Sequence, residues 1–167
     1  TNLLDSGSHF YEVYETADGK YISLGSIEPQ FYATLLNKLG DDAKHFENQF
    51  DMGNWPQMKA KMTEIIKGKT RDDWDAVFAG SDVCYAPVLS MSEVRHHPHH
   101  QARGTVIDDG DVWQPAPAPR FSRTNGELRC GAATIGEHTK DVLREFGFSD
   151  EDIQKRLESG AIHSHSA

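Results

Sequence analysis

Apolar and polar residues alternate from His9 to Glu15 (HFYEVYE), and a second apolar run follows from Tyr21 to Leu24 (YISL). Alternation with a period of two marks a strand with one buried face. Between the runs stands Thr16-Ala17-Asp18-Gly19-Lys20, where Asp-Gly supplies the positive φ of a tight turn. The pattern predicts a β-hairpin. The period then lengthens. Phe31, Leu35, Leu36 and Leu39 recur at helical spacing behind Pro29. Proline suits the first helical position because its missing N–H has no partner there in any case. Glu28 therefore falls at the N-cap, and Gly40 stops the helix.

Two further stripes extend the pattern. Trp55, Met58, Met62, Ile65 and Ile66 predict a helix from Asn54 that Gly68 ends, and their simplest role is core packing. Trp74, Val77 and Phe78 predict another, capped by the Thr70 hydroxyl over a turn holding Asp72 and Asp73, and closed by Gly80. Val83 to Leu89 reads as a strand, with Pro87 placing it at an edge or a bulge. Ser90 to Arg95 reads as a short helical turn capped by Ser90 or Ser92. Thr105 to Trp113 reads as a second hairpin turning at Asp109-Gly110, followed by a proline-rich extended stretch at 114–119. Helices are expected over Glu137 to Phe146 and from the Ser149 cap to Leu157, with a frayed tail from Gly160. The fold class is thus α+β. A small antiparallel sheet with helices packed on one side spans 1–130, and a helical C-terminal extension spans 131–167.

Composition narrows the function. Of 167 residues, 37% are hydrophobic and 26% charged, enough apolar material for a packed core. The formal net charge of -9 repels phosphate backbones, so no nucleic-acid partner is expected. A local cationic pocket could still hold a small anion. No apolar run approaches the roughly 18 residues of a membrane span, so no membrane partner is expected. Cys84 and Cys130 lie outside any C-x-x-C spacing. This favours a reducing, cytoplasmic setting, with a single disulfide left open. There is no signal-peptide pattern, and the chain enters strand pattern within its first ten residues. That is the expectation for a start inside a longer protein or at a processed boundary.

No complete catalytic constellation stands in the sequence: no G-x-S-x-G, no phosphate loop, no dinucleotide fingerprint, no zinc-type Cys/His spacing. The loudest local feature is His96, His97, His99 and His100 around Pro98. Imidazoles this close could bind a divalent metal. Pro98, however, is expected to break the helix that would align them. A solvated loop or helix end is the expectation, with no metal site, and the same holds for His163 and His165. Glu28 is the sharper candidate. It is either a helix-cap carboxylate or a carboxylate held on the rim of a site, and the two roles are compatible.

Ordered blocks along the chain carry a resemblance. They include Asn2 to Tyr11 (NLLDSGSHFY), Tyr14 to Tyr21 (YETADGKY), Gly25 to Tyr32 (GSIEPQFY) and Trp55 to Lys59 (WPQMK). Ala86 to Leu89, Glu93-Val94, Arg103-Gly104, Ile135 to Thr139, Leu143 and Glu145 to Ser149 continue it. In this the chain resembles the small domain and return helices of α-methylacyl-CoA racemases, within the family III CoA-transferase (CaiB/BaiF-like) superfamily. The Ile27-Glu28-Pro29-Gln30-Phe31 block is the most specific, and it favours the racemase branch. Ser6 and Ser8-His9 depart from the family pattern, which usually has Gly and Ala-Pro there.

The resemblance implies epimerisation at the α-carbon of 2-methylacyl-CoA thioesters by 1,1-proton transfer. The coenzyme A thioester is substrate, and no cofactor is expected. The family's catalytic His and Asp map upstream of Thr1, so the isolated chain is expected to be inactive. Only Glu28 maps onto the family's active site, as the carboxylate that holds the catalytic His of a partner's large domain. A homodimer, or self-association through apolar surface left open, is the implied assembly. The acyl group stays open. So do two alternatives: a fragment of a family III CoA-transferase, and a free-standing binding or assembly module without catalysis.

Overall fold

The first hairpin forms between β1 (Tyr11–Glu15) and β2 (Tyr21–Gly25), with Tyr14 opposite Ile22. Its turn closes through Thr16 N–H to the Lys20 carbonyl at 2.9 Å, and Gly19 takes φ 71° as the Asp-Gly pair requires. This computed structural model describes residues 2–108, 110 and 112–165. They divide into two compact units, Thr1–Val94 and Arg95–Ala167.

In the first unit β3 (Tyr85–Val88) joins β2 antiparallel, giving the order β1-β2-β3. The strand expected from Val83 is shorter than its apolar run. Cys84 takes φ 55°, a left-handed value no strand accommodates, and Val83 turns into the core instead. Helices α1 (Pro29–Leu39), α2 (Trp55–Ile66) and α3 (Arg71–Phe78) supply the rest of that core. Tyr14, Ile22 and Leu24 from the sheet pack with Tyr32, Leu35, Trp55, Met58, Met62, Ile66, Trp74 and Phe78. The opposite sheet face is bare, with Tyr11, Val13, Tyr21 and Val88 exposed. The Trp and Met stripes are therefore core, as their spacing predicts.

Local signals explain where the elements begin and end. Thr70 forms a capping box with Asp73: its hydroxyl accepts the Asp73 N–H, and the Asp73 carboxylate accepts the Thr70 N–H. Ser90 and Glu93 frame α4 (Met91–Val94) in a similar way, with the Glu93 carboxylate accepting the Ser90 N–H at 2.8 Å. Arg71 is buried and reaches Glu93 with two nitrogens, at 2.6 and 3.1 Å, and the Val88 carbonyl at 2.9 Å. This fork holds the Glu93 carboxyl well below the ordinary carboxylate range. On β1, Glu12 turns its carboxylate back onto the Val13 N–H at 2.8 Å, and the same group accepts from Ser6 and pairs with Lys59. Burial works to raise the Glu12 carboxyl, but these contacts prevail and hold it low.

Two short elements carry no periodic signal in the sequence. One is a wide turn over Leu3–Gly7 with Ser6 at φ 55°; the other is a 3₁₀ turn over Gly40–His45. In the second unit Pro98 does not break a helix but opens one, α5 (Pro98–Arg103), with His97 at its N-cap. Strands β4 (Val106–Asp108) and β5 (Trp113–Pro115) pair as the second hairpin. Gly110 in its turn has φ 82°, while Asp109 of the expected Asp-Gly pair lies outside the described residues. Helices α6 (Thr139–Glu145) and α7 (Asp150–Glu158) follow, the latter capped by Ser149 as expected. The tail is not frayed through His165: its N–H bonds the Gly136 carbonyl at 3.0 Å. Among the described residues no helix is long and apolar enough to cross a membrane.

Candidate functional site

Glu28 stands where the sheet delivers the chain to α1. Its backbone is extended (φ -71°, ψ 144°), it occupies the N-cap, and Pro29 fixes the first helical residue. The Glu28 carbonyl accepts the N–H groups of Phe31 and Tyr32 at 3.0 and 2.9 Å, so the residue is held from its C-terminal side by the first turn of the helix. The side chain behaves differently. It is exposed and makes no capping hydrogen bond. The carboxylate thus has no structural task in the cap, and its oxygens are open to a group arriving from outside.

The loop before Glu28 is held tightly. Gly25 N–H bonds the Cys84 carbonyl at 2.9 Å, and Ser26 N–H bonds the Phe10 carbonyl at 3.0 Å. The buried Ser26 hydroxyl donates to the Val83 carbonyl. Gln49, buried in the irregular segment before α2, donates its side-chain amide to the carbonyls of Ser26 and Ile27 at 3.1 and 2.8 Å. Sequence reasoning did not single out Ser26 or Gln49 for this work. Gln49 has no periodic neighbours, and its partners lie 22 and 23 residues away, so no local pattern announces it.

Cys84 lies close enough for the Glu28 charge to act on its thiol. Although the residue is exposed, partial desolvation by its surroundings, then Asp82, then Glu28 push that thiol above its ordinary value, which keeps it protonated and a poor nucleophile. Beside it, Tyr11, Val13, Ser23 and Ala86 line an open groove of about 450 Å³ on the bare sheet face. No proton-transfer partner for Glu28 comes from His9. That ring is fully buried, bonds the Tyr32 hydroxyl at 2.7 Å and stacks on Phe46 at 5.4 Å.

The histidine run lies elsewhere, in the Arg95–Ala167 unit. His97 and His99 each lie about 5.5 Å from His100, between ring centroids. His100 Nδ1 is 3.0 Å from the Thr105 hydroxyl. Among the described residues no group of three or more His, Cys, Asp or Glu side chains is placed to hold a metal ion. Cys84 and Cys130 are both free and exposed. Because the Glu28 carboxylate carries no internal hydrogen bond, Glu28→Gln is expected to change the stability of this chain by less than about 1 kcal/mol. Urea unfolding of the two proteins side by side checks this, and a variant that fails to fold would contradict it.

Comparison with known proteins places these features in a lineage. The model of CoA-transferase family III matches residues 2–139. The chain is 44% identical over 154 residues to α-methylacyl-CoA racemase of Mus musculus, an alignment covering 91% of this chain and 40% of that protein. Against α-methylacyl-CoA racemase of Homo sapiens it is 41% identical over 167 residues, covering 98% and 44%. The chain thus spans less than half the length of these relatives. Among solved structures, a CAIB/BAIF family protein from Brucella suis superposes with a TM-score of 0.67 at 22% identity, over 85% of this chain and 39% of that one. That likeness bears on the fold alone. With the family model covering most of its length, the chain belongs to CoA-transferase family III.

Proposed function

We propose that this chain is the C-terminal portion of an acyl-CoA racemase, and that it contributes Glu28 to an active site for epimerisation of 2-methylacyl-CoA thioesters. The observation that carries the reading is the Glu28 carboxylate: exposed, without an internal partner, and set on a backbone fixed from both sides. The relatives at 44% and 41% identity, both named α-methylacyl-CoA racemase, support the racemase branch.

In this reading a base outside the chain removes the proton next to the thioester carbonyl. The electron pair delocalises into a planar enolate, and an acid on the opposite face returns a proton to the same carbon. The base is a histidine of a large domain. Glu28 accepts the N–H of that imidazole, which fixes its tautomer and stabilises its charged form once it has taken the α-proton. The substrate is a coenzyme A thioester, and proton transfer of this kind calls for no resident cofactor. The proposed assembly is a cytoplasmic homodimer, in which a large domain of one copy covers the Glu28 rim of the other.

The test follows α-deuterium uptake from deuterated water into a 2-methylacyl-CoA. The chain alone is expected to catalyse none. A full-length protein carrying this sequence is expected to catalyse it, and Glu28→Gln is expected to slow it roughly 100-fold. Uptake by the isolated chain at a rate tracking protein concentration would sink the proposal. Transfer of CoA to a carboxylate acceptor without α-exchange would favour the transferase branch instead.

A further inference from the structure

The geometry points to Gln49 as a positioning residue for Glu28: its buried side-chain amide spans the two carbonyls just before Glu28 and fixes where that carboxylate stands. This rests on the reading of Glu28 given above.

The argument begins with the donor count. A glutamine amide carries two N–H groups on one nitrogen, and here that nitrogen lies within 3.1 and 2.8 Å of two consecutive carbonyls, Ser26 and Ile27. Holding both restrains the peptide planes on either side of Ile27, and so the direction in which the chain enters Glu28. The clamp is itself anchored. Trp55, buried at the start of α2, donates its indole N–H to the Gln49 carbonyl at 2.8 Å. The Trp55 ring meets Phe10 edge to face at 6.0 Å, and the Phe10 carbonyl accepts the Ser26 N–H. Ser26, Phe10, Trp55 and Gln49 thus close a ring of contacts around the loop. On the far side of Glu28 the helix start is already fixed by Pro29.

A carboxylate that must meet an imidazole from another domain benefits from such a frame. The side chain stays free to bond outward while its backbone cannot drift. Gln49 touches no part of the exposed carboxylate, so it acts only through the position of Glu28. Losing both donors would let the Ser26 and Ile27 carbonyls turn to water and widen the range of Glu28 positions. A displacement of this kind costs turnover rather than substrate affinity.

The experiment uses the full-length protein and a double-mutant cycle. Gln49→Met keeps the side-chain length and removes both donors. It is expected to lower kcat for α-proton exchange roughly tenfold, with KM for the acyl-CoA within about twofold. In a Glu28→Gln background the same change should cost less than about twofold, because there is no carboxylate left to place. An equal loss in both backgrounds, a change confined to KM, or no loss in the parent protein overturns the assignment. Should Gln49→Met fail to fold, Trp55→Phe keeps an aromatic side chain while removing the anchoring N–H together with part of the indole, and it is held to the same non-additivity. A silent Glu28→Gln would sink the site reading itself. The clamp is then judged on the present chain by amide hydrogen exchange: unchanged exchange at Ile27 and Glu28 in Gln49→Met, relative to the β1–β2 hairpin, overturns it as well.

Discussion

Replacing Phe10 with alanine is expected to destabilise the Thr1–Val94 unit by about 3–5 kcal/mol, the usual cost of deleting a fully buried aromatic ring. Phe10 is 0% exposed. Its ring lies 5.1 Å from His9, 5.8 Å from Tyr32, 5.6 Å from Phe50 and 6.0 Å from Trp55, all in edge-on contacts. His9 is its chain neighbour, while Tyr32, Phe50 and Trp55 come from α1, the segment before α2, and α2, so one ring ties three parts of the chain to the start of the hairpin. The surroundings cannot collapse into the vacated volume without breaking the His9 and Trp55 hydrogen bonds. A domain commonly holds only roughly 5–15 kcal/mol in reserve, so the variant should be largely unfolded at moderate urea. Tryptophan fluorescence during urea unfolding measures the loss. A cost below about 1 kcal/mol, within the range of an ordinary surface change, would show that the aromatic cluster does not hold this unit together.

The second expectation is an acid-sensitive step that belongs to His9. The Tyr32 hydroxyl spends its one proton on the Phe46 carbonyl at 2.8 Å. His9 Nε2 must therefore carry the hydrogen shared with Tyr32, which leaves Nδ1 as the acceptor. Nδ1 is buried and has no partner. Protonating it would place a charged N–H in an apolar wall with nothing to receive it, and burial accordingly lowers the His9 pKa from 6.5 to about 4. The unfolded chain takes up a proton near pH 6.5 that the folded chain refuses until about pH 4. Stability from this group is therefore complete above pH 6.5 and drains away as the pH falls towards 4. With about 1.4 kcal/mol for each unit of difference, the total is about 3 kcal/mol. The carboxylates held low by their partners, Glu12 and Glu93, begin to lose their contribution as the pH falls through the ordinary carboxylate value of 4.5, and lose the rest below it. Urea unfolding at pH 7.5, 6.5 and 5.5, above the range in which the carboxylates respond, should show the decline setting in for the parent chain and a nearly flat profile in His9→Phe. Parallel profiles in the two proteins would rule the assignment out.

How far the sequence disclosed all this depends on the range of the interaction. The β1–β2 hairpin, α1 and the Thr70 cap rest on neighbours within a few residues, and their alternation, Asp18-Gly19, Pro29 and Thr70-Asp73 were all legible. Glu28 at an exposed N-cap follows from the same local rules, whereas the role proposed for it beside an imidazole rests on resemblance alone. The alternation makes His9 the first residue of a strand. Its burial depends on Tyr32 and Phe46, 23 and 37 residues on, and no local pattern carries that. Inside a histidine run, Pro98 reads as a helix breaker. The same ring geometry makes it a good first residue of α5, and only the extended backbone of His97 decides between the two. The Gln49 clamp is the extreme case: a single polar side chain in irregular structure, with its partners more than twenty residues away.

The small sheet is also guarded against growing sideways. A strand with free N–H groups along its outer margin invites another molecule to add on, and the addition can repeat without limit. Here the Val13 N–H is already taken by the Glu12 carboxylate, with Lys59 alongside as a charged sentry. On the other margin Pro87 has no N–H to offer. Copies of this chain, or the rest of a larger protein, can therefore meet the bare Tyr11–Val13–Tyr21 surface only by stacking on it. Contacts of that kind saturate after one partner, so concentrated solutions should yield finite, reversible assemblies and not cross-β fibres.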